Sequence, residues 1–122
     1  MAQHGRYDPI AIARGLPVDL RDRYFKQDGR IWAIKDEVKK MVTLKKNNLQ
    51  ESYAWIGNRD IVFCRNVLIY FSETFKRDVL SRIAMLLKPS GYLFVGASES
   101  VSSYSNDYHM LKHSGGLYYK VR

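Results

Sequence analysis

Asp60-Ile61-Val62-Phe63-Cys64-Arg65-Asn66-Val67-Leu68-Ile69-Tyr70-Phe71 is the stretch on which the fold turns. The apolar run 61–64 is too short for a helix and suits a buried strand of a parallel sheet. Behind it, Ser72 can cap a helix whose first turn holds Glu73. In that helix Phe75, Val79, Ile83 and Leu87 recur every four residues, and Leu80, Ala84 and Leu86 widen the apolar stripe. Lys88-Pro89-Ser90-Gly91 stops the helix, and Tyr92-Leu93-Phe94-Val95 supplies a second strand. Strand, helix and strand make a βαβ unit with a right-handed crossover.

Working outward, a last strand is expected over 117–121, after the turn residues Ser114-Gly115-Gly116. Upstream, Asp8 caps a short helix with Pro9 at its first position, and Gly15 ends it. Pro17 and Asp19 open a second short helix that carries Leu20, Tyr24 and Phe25. Asp28-Gly29 predicts a hairpin turn between 24–26 and 31–34. Met41-Val42-Thr43-Leu44 reads as a further short strand, and the polar stretch 50–59, with Gly57-Asn58, as a loop.

A length of 122 residues, 46% hydrophobic and 26% charged, describes one small globular domain and excludes global disorder. No apolar run is long enough for a transmembrane helix, and no signal peptide opens the chain, so the expected location is cytoplasmic. The single cysteine, Cys64, rules out an internal disulfide or a multi-cysteine zinc site, and it is read as a buried strand thiol. His4, His109 and His113 lack a further ligand in view, so no metal is expected. The net charge of +8 is spread evenly over both halves, which favours acidic partners. Tyr104, Tyr108, Tyr118 and Tyr119 with nearby lysines could form a nucleic-acid face, but they match no nucleic-acid-binding motif.

Chemistry is expected just past Cys64, because ligands of open α/β sheets bind outside the carboxyl ends of strands. Asn66 offers a donor and acceptors, and Arg65 is a fixed cation that can meet a carboxylate. Tyr70 can stack on a ligand or place a hydroxyl near a reacting atom. The alternative is a plain strand-to-helix connection whose aromatics only fill the core. Ser98-Glu99 also follows a strand end, and no chemistry is assigned to it.

Residues 60–71 resemble the signature of CheR-type chemotaxis receptor methyltransferases. So does the stretch 86–100, Leu86-Leu87-Lys88-Pro89-Ser90-Gly91-Tyr92-Leu93-Phe94-Val95-Gly96-Ala97-Ser98-Glu99-Ser100. Leu16-Pro17, Arg23-Tyr24-Phe25 and Asn48-Leu49 fall upstream in the family's order, so the resemblance covers nearly the whole chain. It implies an α/β fold: part of a Rossmann-like S-adenosylmethionine methyltransferase sheet, with a small antiparallel β-subdomain over 24–45 and a βαβ core with the last strand over 60–122. The implied activity is methylation of glutamate side chains of chemoreceptors, with S-adenosylmethionine as donor. By the resemblance, Asn48 and Leu49 lie by the adenine and Asn66 and Val67 by the adenosyl or methionine part. Arg65 and Tyr70 lie near the transfer site. In some members the β-subdomain docks a receptor tail by strand addition; the alternative is a structural hairpin that protects a sheet edge.

The family's chain is about twice this length or more, and its helical domain and first cofactor-binding strands have no counterpart here. The glycines, at 5, 15, 29, 57, 91, 96, 115 and 116, include no G-x-G pair. The family's ribose-holding acidic residue also has no counterpart. The chain is therefore expected to be the carboxy-terminal part of a methyltransferase domain, incomplete and inactive alone. The rival reading is a non-catalytic module that binds partners or self-associates through an exposed sheet edge.

Overall fold

The computed structural model describes residues 4–122. They form two compact units that divide between Lys46 and Asn47.

In the first unit, Asp8 caps α1 (Pro9–Ala13) by accepting from the Ala11 N–H at 2.7 Å, with Pro9 at the first helical position. α2 (Val18–Tyr24) follows Pro17. β1 (Arg6–Tyr7), β2 (Phe25–Asp28) and β3 (Ile31–Ile34) make an antiparallel sheet in the order β1-β3-β2. Phe25, expected in the helix, is instead the first residue of β2. Its backbone is extended, it pairs with Ile34, and its ring meets that of Tyr7 edge-on. The hairpin turn lies one residue later than Asp28-Gly29. Asp28 pairs with Ile31, so Gly29 and Arg30 form the turn. Gly29 alone has a positive φ, +62°, the pattern of a type II′ turn with glycine in its first central place.

The strand expected at 41–44 does not form. α3 (Asp36–Lys39) continues into it as a turn, with the Met41 and Val42 N–H groups donating to Val38 and Lys39 carbonyls. The side of β3 away from β2 is already taken by β1, through Arg6 opposite Ala33 and Tyr7 opposite Trp32. Met41, Val42 and Leu44 are left exposed.

The second unit holds β4 (Arg59–Cys64), α4 (Glu73–Leu86), β5 (Leu87–Val95), β6 (Tyr108–His113) and β7 (Gly116–Val121). The sheet order is β4-β5-β7-β6, parallel between β4 and β5 and antiparallel elsewhere. The Ser72 hydroxyl caps α4, accepting from Phe75 N–H at 3.2 Å, which contributes about 1 kcal/mol. The stripe read from the sequence packs on one sheet face. Val79, Leu80, Ile83 and Leu86 are buried with Leu93, Val101, Tyr108 and Tyr119. Each such side chain contributes roughly 1.5–3 kcal/mol by leaving water.

Two expectations change here. The stop at 88–91 is a bulge within a strand: β5 starts at Leu87, pairing with Arg59, and regular pairing resumes at Tyr92 opposite Ile61. Pro89, which has no N–H to donate, sits in the residues looped out. Nor is β4 buried on both faces. It is the edge strand, and α4 covers only the Val62 and Cys64 side. Phe63 is 71% exposed and Ile61 is 49% exposed. On that open face the rings of Phe63, Phe94 and Tyr118 stack in a row at 5.1 and 6.0 Å, and Tyr92 meets Tyr118 edge-on.

Candidate functional site

Parallel pairing brings the carboxyl ends of β4 and β5 out side by side, with Cys64 opposite Val95. The start of β7 lies next to them, because β7 runs antiparallel to β5. Together these ends border a cleft of about 400 Å³ lined by Phe63, Arg65, Phe94, Gly96, Glu99 and Leu117, among others. A ligand site is expected at this place in an open α/β sheet.

Arg65 and Asn66 follow the last residue of β4, and both are exposed. Asn66 has φ +59°, the left-handed conformation, which asparagine tolerates better than most residues. Leu68, 2% exposed, anchors the loop in the core. Val67 is half-buried, and Tyr70 closes the 3-10 turn Leu68–Tyr70 with 79% of its surface exposed.

The residue that organises this loop is Glu99. Its Oε1 accepts from the N–H groups of Asn66 at 2.6 Å and Gly96 at 2.7 Å, and its Oε2 accepts from Leu68 N–H at 3.0 Å. Gly96 has to lack a side chain: a Cβ there would lie 2.6 Å from Glu99 Oε1 and 3.1 Å from Asn66 Nδ2. Sequence reasoning assigned Glu99 no role. One signal was available: it is the single charged residue between Lys88 and Asp107. Beneath the loop, burial, and after it the Glu99 carboxylate, pushes the Cys64 thiol up to about 11, so the thiol is neutral at physiological pH.

Of the site residues expected from the sequence, Arg65 lines this cleft, while Asn66, Val67 and Tyr70 do not; neither do Asn48 and Leu49, which lie in a different segment of the same unit. The Asn48 side chain accepts from Gln50 N–H at 2.9 Å. The Leu49 carbonyl accepts from the Tyr53 hydroxyl at 2.8 Å, and its side chain packs on the core. Arg82, paired with Asp78 at 3.2 Å, donates to the Gln50 and Glu51 carbonyls and fixes this segment to α4. Burial raises the Tyr53 phenol, while the nearby Arg82 cation opposes that shift. Among the described residues no three His, Cys, Asp or Glu side chains gather as a metal site. No helix among them is long and apolar enough to cross a membrane.

Compared with known proteins, residues 1–116 match the family described as CheR methyltransferase, SAM binding domain. The chain is similar to the chemotaxis protein methyltransferase Cher2 of Pseudomonas putida, 49% identical over 97% of this chain and 43% of that protein. It is 47% identical to chemotaxis protein methyltransferase 1 of Pseudomonas aeruginosa, over 99% of this chain and 44% of the relative. With the chemotaxis protein methyltransferase of Vibrio anguillarum the identity is 45%, over 100% and 45%. The chain thus spans less than half the length of these relatives.

Proposed function

Because the chain belongs to the CheR methyltransferase family, within its SAM-binding domain, we propose that it takes part in S-adenosylmethionine-dependent methylation of glutamate side chains on chemotaxis receptors. The observation that carries this reading is Asn66, an exposed residue held left-handed at the carboxyl end of β4, next in sequence to Arg65, which lines the cleft. The residues fit the ligand. Gly96 keeps the strand end open where a Cβ would crowd the Asn66 side chain.

The chemistry supplied by S-adenosylmethionine is an electrophilic methyl on a sulfonium centre, passed to a carboxylate oxygen with release of a neutral thioether. The chain's own part is binding and orientation. Asn66 and Val67 hold the adenosyl or methionine portion, and Asn48 and Leu49 the adenine side. Arg65 presents a planar cation suited to steer the acceptor carboxylate, and Tyr70 is assigned to the same transfer step. The setting proposed with this activity is the cytoplasm, which suits a chain with one unpaired cysteine.

A second reading rests on a different observation. β4 leaves one strand edge unpaired, and the aromatic face next to it is open. A second copy of the chain can cover both, which makes the chain a self-associating module rather than a complete catalyst.

Titration calorimetry with S-adenosylhomocysteine tests the first reading. Binding that Asn66→Ala abolishes supports it. A folded chain that does not bind would leave the methyl-donor site unsupported in this chain and favour the second reading.

A further inference from the structure

The Glu99 carboxylate is satisfied by backbone N–H groups rather than by a cation. Both carboxylate oxygens are spent on backbone N–H groups: Asn66 and Gly96 on one, Leu68 on the other. Those N–H groups come from two different strand ends, far apart in sequence. Backbone N–H groups that converge in this way form a nest-like concavity that attracts an anion, although these come from separate segments rather than successive residues. Here the protein's own side chain occupies it.

The geometry points to Glu99 as a positioning residue for the strand-end site: its carboxylate holds Asn66 in the left-handed conformation and thereby sets where the Asn66 side-chain amide stands, next to Gly96 of the cleft lining. Three features converge on this assignment. Asn66 is one of only two described non-glycine residues with positive φ, so its conformation has to be held by something. The shortest of the Glu99 hydrogen bonds is the one to Asn66 N–H. The Glu99 and Asn66 side chains both occupy the space beside Gly96, where a Cβ would lie 2.6 Å from Glu99 Oε1 and 3.1 Å from Asn66 Nδ2. Because the nest is filled, it is also closed to anionic groups of a ligand. Recognition at this strand end falls to the Asn66 amide and the Arg65 cation.

The inference deepens the ligand-binding reading above and rests on it for its functional part, so the test has two independent arms. The first needs no ligand. In isotope-labelled chain, the amide proton of Asn66 should be protected from exchange although the residue is exposed. In Glu99→Gln, which keeps the size but loses the charge and one acceptor, the amide resonances of Asn66, Leu68 and Gly96 should move together. The Asn66 carbon shifts should leave their left-handed values. The second arm is affinity for S-adenosylhomocysteine, expected to fall on the order of ten- to a hundred-fold in Glu99→Gln through misplacement alone. Asn66→Gly accepts the same φ without strain. It should keep the Leu68 and Gly96 resonances in place and still lose the ligand.

An unprotected Asn66 amide in the unsubstituted chain overturns the proposal, even if Glu99→Gln fails to fold. Unmoved resonances in a folded Glu99→Gln chain overturn it as well, as does displaced backbone with unchanged affinity. If the unsubstituted chain binds no S-adenosylhomocysteine, the ligand reading fails, while the amide arm still decides whether Glu99 holds Asn66.

Discussion

The hydroxyl of Tyr108, at the start of β6, donates to the carbonyl oxygen of Leu80, in the middle of α4, at 2.6 Å. This bond joins the last hairpin to the helix through the core, and Tyr108 is 3% exposed. Burial, and then the neighbouring Asp107, holds the phenol protonated far into alkaline pH. Tyr108→Phe keeps the ring and loses the bond. We expect a loss of about 0.5–1.5 kcal/mol, read as a lower denaturant midpoint with an unchanged slope.

Gly96→Ala tests the crowding at the strand ends. The new methyl meets Glu99 Oε1, which is fixed by its own hydrogen bonds and cannot swing away freely. The expected cost is roughly 1–3 kcal/mol, the usual range for overpacking. Weakened binding of S-adenosylhomocysteine should accompany it. Wild-type stability in this variant, measured by urea unfolding, would show that the loop yields without strain.

Cys64 gives a pH prediction whose sign is fixed. Its folded-state value, about 11, lies above the ordinary value of 9.0. Below pH 9 the thiol is protonated both folded and unfolded, and its contribution is fully present. As pH rises from 9 toward 11, the unfolded chain sheds the proton first, so stability falls. Cys64→Ala should flatten the curve between pH 9 and 10. Alkylation of the native thiol should still be accelerating at pH 10, where an ordinary cysteine has levelled off.

Arg82→Ala removes the donor that ties the Gln50 and Glu51 carbonyls to α4. Hydrogen exchange should speed up over 48–53 without change in the β6–β7 amides. If Asn48 and Leu49 hold the adenine side, ligand affinity falls with it. Unchanged exchange over 48–53 would show that Tyr53 alone is enough to anchor the segment.

The unpaired β4 edge and the aromatic face predict concentration-dependent association. Phe63→Lys, at the most exposed ring of the row, should lower it without changing the far-ultraviolet circular dichroism. A clean monomer by sedimentation at high concentration would remove the self-association reading.

Helix α4 was legible in the sequence because each of its signals is local: a serine cap, an acidic first turn and a four-residue apolar period. The strand at 59–64 was legible from its apolar run, but its burial was not. Exposure depends on which neighbours the sheet supplies, and nothing within residues 61–64 encodes that β4 is an edge. The apolar composition of 41–44 resembles a strand, yet a strand needs a free partner, and β1 had already taken the available side of β3. The left-handed φ of Asn66 was not legible there, but the residue stood out because it offers a donor and acceptors just past a strand end. Glu99 did not, because its partners are backbone N–H groups, and these leave no mark in the sequence.

The β6–β7 hairpin closes on Ser114 and Gly115, at φ +48° and +79°, between the paired residues His113 and Gly116. Positive φ at both central positions is the type I′ pattern, whose twist matches that of the strands it joins. All of the hairpin's cross-strand contacts are therefore local, and such ribbons close within about 1–10 μs. The parallel pairing of β4 with β5 must instead wait for the whole helical crossover to close. During refolding the last residues of the chain should thus be ordered first, ready as a template on which β5 and then β4 are laid down.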